Sequence, residues 1–508
     1  MTDMSDRVPA PASPSAASAS AAEHPAPPEK LSRTNRIVLV LLLTSAFVVM
    51  LNETIVGVAL PTIMKDLGVD PVTGQFLVTA YMLTMAVVIP MTGFLMKRFT
   101  TRQVFIGAIS LFVAGTTVGA MATMLPEGIQ FGVLLLARVL QAAGTGVMTP
   151  LLMTTIMTIV PIARRGVMMG MIGVVISVAP VLGPLVGGVI VTFLPWSALF
   201  LVILPLAVIA LLLGVKLMVN ITPTSKVPID VLSVILSVFA FGGIILGLSS
   251  FGDQVADSSQ LSPWIPLGIG LIALFAFVMR QLRLQRTDTA LIDLRIFESS
   301  TFTWAVLTMV VMNAILFGSL TLLPFYIQEG LGATPLQSGL MVMPGGLLMG
   351  LAGPIVGGLY DKIGPRPLII PGAIITTVAL SLMAMQFTPT ASKWTVAVLY
   401  LVLCMGLALL FSPLFTVAMA AVRPKYYTYA SAGISTMQQI AGALGTSVFM
   451  VIYAMGRGTS ATPESVAAGT HGALVVAAVA SIAIVVLVFF IKKPADQSGL
   501  VSAQPALA

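Results

Sequence analysis

Apolar residues in this chain are gathered into long blocks and do not recur at the spacing of an amphipathic helix. About 20 consecutive apolar residues cross the ~30 Å hydrocarbon core of a bilayer as a helix. The chain contains 14 such blocks, which predict 14 transmembrane helices in an all-α membrane protein. The fourth block is too long for one span and is expected to include part of a loop, and Pro266 makes the eighth the weakest. The blocks are residues 37–60, 73–96, 103–124, 130–160, 166–193, 197–219, 231–251, 263–280, 301–327, 337–360, 367–387, 394–421, 430–456 and 471–491.

The spacing of the blocks predicts two sets of six spans with two further spans between them. Spans 7 and 8 lie between longer joints at residues 220–230 and 281–300. Two six-helix sets are typical of transporters that rock around a site at the midplane. The expected domains are a disordered tail at residues 1–35, a six-helix bundle at 36–220, two inserted helices with a cytoplasmic loop at 221–299, a second six-helix bundle at 300–493 and a disordered tail at 494–508.

The scarcity of charge sharpens this interpretation. Charged residues make up 8% of the chain and hydrophobic residues 57%, which excludes a soluble multidomain protein. If both termini are cytoplasmic, 21 of the 25 Lys and Arg residues lie in cytoplasmic segments, as the positive-inside rule requires. The net charge of +7 therefore indicates topology and no nucleic-acid partner. With one cysteine and two histidines, we expect no disulfide framework, no metal site and no cofactor.

Glu53 is the one acidic residue of 18 that lies well inside a predicted span. It precedes Leu60 by seven residues, which places it ~10 Å from the outer end of the span. An ionised carboxylate at that depth is costly unless it is paired or hydrated, so an intramembrane acid is a functional candidate by default. Glu53 is predicted to carry a proton, and the alternative is a structural acid that is hydrogen-bonded to a neighbouring helix.

Arg138 is the only base inside a predicted span, ~12 Å from its outer end. It begins a series with Gln141, Thr145 and Thr149 that lies on one helix face. A polar stripe in a lipid-embedded helix is expected to face the interior of the bundle. We expect Arg138 to tune the proton affinity of Glu53, with or without direct pairing. The alternative is a structural arginine that binds backbone carbonyls.

Two segments with the pattern Gly-Pro-x-Val-Gly-Gly occur at residues 183–188 and 353–358, one in each predicted bundle. Proline kinks a helix and glycine permits close contact, so the two helices are expected to pack against each other. The alternative is ordinary glycine enrichment in membrane helices. Charged turns at 93–102 and 357–366 are candidate latches for the cytoplasmic face, or simple topology signals. The candidate conformational residues are Pro180, Gly183, Pro184, Gly187, Gly188, Gly353, Pro354, Gly357, Asp361, Gly364, Arg366, Arg98 and Arg102.

Several polar residues inside predicted spans are candidates for lining a substrate cavity, or equally for structural hydrogen bonds between helices. They are Asn52, Gln75, Tyr81, Gln141, Thr145, Asn313, Gln438 and Gln439. Hydrolase, nucleotide-binding and zinc-protease motifs do not occur in the sequence, which argues against an enzyme.

These segments resemble the major facilitator superfamily, in particular its 14-span drug:proton antiporters. Arg138 with Gln141 and Gly144 resembles the motif of span 4, and residues 179–188 resemble the antiporter motif of span 5. Residues 51–61 resemble the motif of span 1, whose usual aspartate is Asn52 here, with the acid one position later. In their amino-acid sequence, residues 51–61, 99–103 and 153–161 are most similar to the lincomycin-resistance type of multidrug exporter. The resemblance to the family covers residues 37–491.

The resemblance implies a major facilitator fold with two six-helix bundles plus two inserted helices. It also implies a multi-pass protein of the cytoplasmic membrane that works as a monomer and exports hydrophobic or amphipathic drugs, lincosamides among them, in exchange for protons. Lys97 stands where the first charged turn usually has aspartate, and Thr100 where it has glycine, so the second turn is the better preserved latch. The rival functions are export of an endogenous lipid, peptide or antibiotic precursor, and a membrane sensor or enzyme.

Overall fold

The computed structural model of the protein describes residues 31–69, 71–221, 224, 230–253, 262–287, 289–458 and 462–492. These residues form 14 helices that are long and apolar enough to cross a membrane, and they contain no strand. The predicted all-α class is confirmed. The helices are α1 (Arg33–Leu67), α2 (Pro71–Arg98), α3 (Thr101–Met121), α4 (Glu127–Ile159), α5 (Arg165–Phe193), α6 (Ala198–Leu217), α7 (Val231–Asp253), α8 (Trp264–Leu284), α9 (Ser300–Phe325), α10 (Pro335–Ile363), α11 (Arg366–Gln386), α12 (Lys393–Ala420), α13 (Tyr427–Arg457) and α14 (Pro463–Phe490).

Two expectations about single spans were wrong. The fourth block contains no loop, because α4 is one continuous helix of 33 residues with Pro150 inside it. The eighth span is not weakened by Pro266, because this proline lies in the first turn of α8, where no intrahelical N–H bond is lost. Part of the predicted N-terminal tail, residues 33–35, belongs to α1, whereas residues 1–30 and the predicted tail at 494–508 lie outside the described residues.

Helix starts in this protein follow ordinary capping chemistry. Thr100, Thr334 and Thr462 each accept a hydrogen bond from the backbone N–H three residues later, at 3.2–3.3 Å. In return, the side chain at that third position accepts from the backbone N–H of the threonine, which completes a capping box. These caps fix where α3, α10 and α14 begin, and with them the turns that join the spans.

Helices α5 and α10 approach each other backbone to backbone. An added Cβ atom at Gly170 would collide with the carbonyl oxygen of Gly353, and one at Gly357 with that of Gly166. The expected contact between these two helices therefore exists. On α5 it is made by Gly166 and Gly170, however, and not by the segment 183–188, which lies against α1 instead. Residues without a side chain are needed here because the two backbones leave no space for one.

We call the end of the bundle where α2 ends, α5 begins and α10 ends the basic end, since Lys97, Arg98, Arg165 and Lys362 lie there. Between the first six and last six helices, the described contacts join α5 with α10 and α12, and α2 and α4 with α13, at this end and toward the middle. At the opposite end, the described parts of α1 and α9 make no comparable contact. The bundle is closed at its basic end.

Helices α7 and α8 form a hairpin that packs against α2 and α13. The two helices meet at Gly243 and Gly270, where an added Cβ at Gly243 would lie 2.8 Å from the Cα of Gly270. At the basic end, Arg280 forms an ion pair with Asp230 at 2.6 Å. The hydrogen bonds from this guanidinium, together with that from the Ser233 hydroxyl, hold the pKa of Asp230 below its usual value. The hairpin thus covers the α2–α13 side of the closed end.

The closed end should open when side chains are added to the α5–α10 contact. In Gly170→Ala, the methyl group meets the backbone of Gly353, an overpacking cost of about 1–3 kcal/mol. Ala163 and Ile363 are both exposed at the basic end, so spin labels can be attached at Ala163→Cys and Ile363→Cys. The mean distance between the two labels, measured by pulsed electron paramagnetic resonance, should be longer in Gly170→Ala than in the parent protein. The native Cys404 is buried, so labelling is confined to the two introduced sites.

Gly173→Ala on the same helix is the matched control. An added Cβ at Gly173 would make an ordinary contact of 3.6 Å with Phe411, so its distance distribution should equal that of the parent protein. Identical distributions for the two alanine variants would contradict the role assigned to the glycine contact.

Candidate functional site

Glu53 lies in α1, which continues past the predicted end of the span to Leu67, ~21 Å further along the helix. Among the described residues, no hydrogen-bond or ion-pair partner faces its carboxylate. The preceding Asn52 is 1% exposed, and its Nδ2 atom also has no partner. Nδ2 of Asn52 is therefore a buried donor without an acceptor, which is uncommon, whereas Glu53 is partly buried.

Arg138 on α4 is 2% exposed and is held by uncharged groups. Its Nε donates to the carbonyl oxygen of Leu77 at 3.3 Å, and its Nη1 donates to Oε1 of Gln141 at 3.1 Å. The guanidinium carbon lies 4.0 Å from the centre of the Tyr81 ring, in cation–π geometry. Arg138 and Tyr81 are both in electrostatic range of Glu53, but no ion pair joins Arg138 to that carboxylate.

The polar stripe of α4 is a connected hydrogen-bond network. Gln141 donates to Oγ1 of Thr116 on α3 at 3.1 Å, and Thr145 accepts from the hydroxyl of Tyr81 on α2 at 2.9 Å. Every one of these side chains is buried. The sequence placed Arg138, Gln141 and Thr145 on one face, and the structure has them on the face that meets α2 and α3. The network fixes the guanidinium in the neighbourhood of Glu53.

Helix α5 packs directly behind the Glu53 stretch of α1. An added Cβ at Gly183 would collide with Oγ1 of Thr54, and one at Gly187 would lie 3.0 Å from the carbonyl oxygen of Ile55. Thr54 also donates to the carbonyl oxygen of Ala179 at 3.4 Å. Pro180 is partly buried and Gly188 has open space around it, while the side chain of Pro184 lies outside the described residues. The segment 179–188 therefore sets the distance between α5 and the acid-bearing helix.

The polar candidates of the last six helices form a separate group. Asn313 on α9 is buried, and its Oδ1 accepts from Nε2 of Gln438 on α13 at 3.5 Å. Gln439, the next residue, reaches across to Sδ of Met85 on α2 at 3.8 Å. None of these is joined to Glu53 by a described contact, and the side chain of Gln75 lies outside the described residues.

Asp361 closes the basic end by binding the first turn of α5. Its carboxylate accepts from the backbone N–H of Gly166 at 2.8 Å and from that of Val167 at 3.1 Å. These N–H groups begin a helix and have no intrahelical acceptor, and the helix dipole favours a negative charge there. Gly364 follows with φ 80°, a left-handed conformation that favours glycine. The charged turn at 357–366 thus connects the last six helices to the first six.

The corresponding turn at 93–102 uses different chemistry. Lys97 lies over the ring of Tyr429 on α13, 4.5 Å from its centre, where an aspartate could not be held in the same way. Thr100 caps α3 with φ −66° and needs no glycine. Arg98 is exposed at the surface of this turn.

The last arginines of the two turns bind helix ends in their own sets of six. Nη2 of Arg102 donates to the carbonyl oxygen of Val215 at 2.6 Å, at the end of α6. Nε of Arg366 donates to that of Ile491 at 3.3 Å, just past the end of α14. Both contacts place a cation at a helix C-terminus, where it is favoured. Neither arginine bridges the two sets in the structure.

Comparison with known proteins identifies the family. Residues 42–446 match the sequence profile of the Major Facilitator Superfamily. The chain belongs to this superfamily. It is 40% identical over 464 residues to the uncharacterized MFS-type transporter YcnB of Bacillus subtilis, covering 91% of this chain and 96% of the relative. It is 35% identical over 467 residues to the lincomycin resistance protein LmrB of Bacillus subtilis, covering 90% and 95%. It is 31% identical over 427 residues to a multidrug resistance protein B homolog of Mycobacterium tuberculosis, covering 82% and 77%.

Solved structures confirm the fold. The human organic anion transporter MFSD10 superimposes with a TM-score of 0.62 at 16% identity, covering 90% of this chain and 99% of that one. The proton:xylose symporter XylE superimposes with a TM-score of 0.61 at 13% identity, covering 91% and 97%. These likenesses show the fold alone. Together with the relatives, they make this chain a multi-pass membrane transporter and not an enzyme, as the sequence predicts.

Two residues of this major facilitator protein at the basic end were missed by sequence reasoning. Tyr429 contacts Lys97, and its hydroxyl donates to the carbonyl oxygen of Ala290 in the segment after α8 at 3.3 Å. Arg165, counted only as a topology signal, is buried and donates to the carbonyl oxygens of Met157 and Val160 at 2.8 and 3.1 Å. The available signal for Tyr429 was the group of three tyrosines at positions 426, 427 and 429, directly after Arg423 and Lys425.

Asp361→Asn should loosen the first turn of α5 in this transporter. The variant loses a negative charge and one of two acceptors, and hydrogen bonds to charged groups contribute about 1.5–3 kcal/mol each. Hydrogen–deuterium exchange should accelerate in the peptide that contains Gly166 and Val167. Lys362→Gln removes an exposed charge at the next position and should leave exchange there unchanged. Unchanged protection in Asp361→Asn would rule out the latch.

Tyr81 should stabilise Arg138 in two separable ways. Tyr81→Phe keeps the ring and loses the bond to Thr145, which costs about 1 kcal/mol, whereas Tyr81→Leu also loses a desolvated cation–π contact of about 2 kcal/mol. The melting temperature of the purified protein should therefore be highest for the parent, lower for Tyr81→Phe and lowest for Tyr81→Leu. Equal losses in the two variants would show that the ring does not hold the guanidinium.

Proposed function

We propose that this protein is a proton-coupled antiporter that exports hydrophobic or amphipathic drugs, lincosamide-like compounds among them, across the cytoplasmic membrane. The names of two relatives, a lincomycin resistance protein and a multidrug resistance protein B homolog, support the substrate class. The location of Lys and Arg in the sequence supports cytoplasmic termini and makes the basic end the cytoplasmic face. We also propose that it functions as a monomer, since the described residues place both sets of six helices in a single chain.

The observation that carries the proposal is the setting of Glu53. It is the one acid well inside a predicted span, it lies in electrostatic range of a buried arginine, and that arginine is satisfied by Leu77, Gln141 and Tyr81 instead of by the carboxylate. A carboxylate bound tightly to arginine would stay ionised. One that is near the cation but unpaired can be protonated and deprotonated in turn. Glu53 is the proton carrier and Arg138 the cation that tunes it.

The closed basic end supports an outward-facing state in this scheme. In that state Glu53 takes up a proton from outside, which weakens drug binding. Opening of the α5–α10 and α2–α13 contacts then exposes the site to the cytoplasm, where the proton leaves and a drug binds. One proton exchanged for a neutral drug moves one charge, worth about 2.3 kcal/mol per 100 mV, and each pH unit adds about 1.4 kcal/mol.

The substrate cavity is assigned to the space between the two sets of six helices. Asn52 is its first candidate donor, because its Nδ2 is buried and has no partner. Gln439 is the second, since it already reaches from α13 toward α2. Tyr81, Gln141 and Thr145 are engaged with one another and serve mainly to hold Arg138. Asn313, Gln438 and Gln75 complete the candidate set.

The conformational parts of the proposal follow the helix contacts. Residues 36–220 and 300–493 move as two bundles, with the inserted helices of residues 221–299 packed against α2 of the first bundle and α13 of the second. Gly166, Gly170, Gly353, Gly357 and Asp361 form the contact that must separate. Gly183 and Gly187 keep α5 against α1 throughout, and Pro180, Pro184 and Gly188 complete the set of candidate conformational residues on α5.

Glu53→Gln should abolish proton-coupled export while the protein still reaches the membrane, because a neutral amide cannot exchange a proton. The measurement is lincomycin transport in proteoliposomes with a pH-sensitive dye inside. Glu298→Gln makes the same chemical change at an exposed site outside the spans and should retain both signals. A Glu53→Gln protein that exports lincomycin with normal proton movement would remove the acid from the mechanism.

A compound panel separates the proposed substrate class from its rivals. Proton movement driven by several unrelated amphipathic drugs supports multidrug export. A response confined to one lipid, peptide or antibiotic precursor would identify a dedicated exporter instead, and no response to any member would contradict antiport.

A further inference from the structure

An apolar groove of about 490 Å³ lies on the flank of the bundle, away from Glu53 and the candidate cavity. Its walls are α2 and α3, and α4 forms its floor. Its volume is in the range of small-molecule sites, about 300–1,000 Å³. Gln103 is its single polar lining residue, and that side chain is engaged in the cap of α3. A drug site would combine an apolar wall with several converging polar groups, and this groove does not.

The groove has the length and position of one acyl chain in one leaflet. It is lined from Val88 on α2 to Phe99 just past the end of that helix, a distance of ~16 Å, and along α3 from Gln103 to Leu111, ~12 Å. Half of a ~30 Å hydrocarbon core is ~15 Å. One end of the groove is at the basic end of the bundle and the other is near its middle. A chain that follows it would lie parallel to the lipids of that leaflet.

The mouth of the groove carries positive charge. Arg98 and Arg102 directly precede the lining residues Phe99 and Gln103, and both are exposed. Arg102 also contacts the end of α6 next to Lys216, which is exposed as well. Guanidinium groups bind phosphate with good geometry, and basic sites between helices on this face favour anionic headgroups.

We propose that the groove binds an anionic phospholipid of the leaflet at the basic end. One acyl chain lies along α2 and α3, and the phosphate is held by Arg98 and Arg102. Open space at Gly107 gives the chain its room, because no atom lies within 4 Å of where a Cβ would stand. This site is independent of proton coupling and of the exported compound.

Filling the groove tests the position of the chain. Gly107→Leu places a side chain where at least two methylenes of the lipid would lie, and each buried methylene contributes about fourfold in affinity. By native mass spectrometry of the full chain in detergent, binding of dioleoyl phosphatidylglycerol should fall about tenfold or more. Ala143→Leu, at the floor of the groove, should do the same.

Gly268→Leu on α8 is the matched control, since Gly268 also has nothing within 4 Å of an added Cβ and lies outside the groove. It should bind the lipid as the parent protein does. Equal affinities for the Gly107→Leu, Ala143→Leu and Gly268→Leu variants would overturn the proposal, provided that all three elute as folded protein.

Neutralising the mouth tests the headgroup. Arg98→Gln and Arg102→Gln should each weaken phosphatidylglycerol binding about fivefold and leave dioleoyl phosphatidylcholine unchanged. Arg283→Gln, an exposed charge on α8 at the same end, should have no effect. Equal binding of the two lipids by the parent protein, or an undiminished preference in both mouth variants, would overturn an anionic site.

Discussion

The structure depends on the absence of side chains along two faces of α5. On one face Gly183 and Gly187 bring α5 against the acid-bearing stretch of α1, and on the other Gly166 and Gly170 bring it against α10. Lipid offers helices no hydrophobic reason to associate, so close van der Waals contact between backbones must supply the affinity. Such a contact is stiff, because a displacement that opens it loses many atom pairs at once. A single helix thereby joins the surroundings of Glu53 to the closed basic end, 13 to 21 residues away along the same helix.

Arg138 and Glu53 can be near each other without pairing because uncharged groups compensate the buried guanidinium. A buried cation must be compensated, and in this protein a carbonyl, an amide oxygen and an aromatic face do so. None of these groups changes charge at physiological pH. The electric field that Arg138 exerts on α1 is therefore constant, while the nearby carboxylate of Glu53 can still gain or lose its charge. Tyr81 is central to this arrangement, since it both covers the guanidinium and donates to Thr145.

Hydropathy predicted the number of spans because membrane insertion depends on local composition, and scarcity singled out Glu53 and Arg138 because a charge in lipid is always exceptional. The partners of the glycines were beyond this reasoning. Residues 183–188 and 353–358 share the same sequence pattern, yet α5 carries glycines on two faces. The periodicity of the sequence does not show which of these faces meets which helix. The role of Tyr429 was hidden for a similar reason: its contacts to Lys97 and Ala290 are 332 and 139 positions away in sequence.

The two sides of the closed end rest on different chemistry, and the inserted hairpin accounts for the difference. On the α5–α10 side, a carboxylate binds two N–H groups at a helix start, and Ser412 on α12 adds a hydrogen bond to the carbonyl oxygen of Gly166 at 3.2 Å. On the α2–α13 side the acid is replaced by Lys97, whose cation–π contact with Tyr429 has no comparable directionality. On that side α7 also packs against both helices, and Tyr429 donates a hydrogen bond to the segment after α8. Gln281 on α8 holds this segment, because its Oε1 accepts from the backbone N–H groups of Leu291 and Ile292 at 2.8 and 3.3 Å. Two extra helices and their connection thus reinforce the side of the closure whose turn lacks the carboxylate.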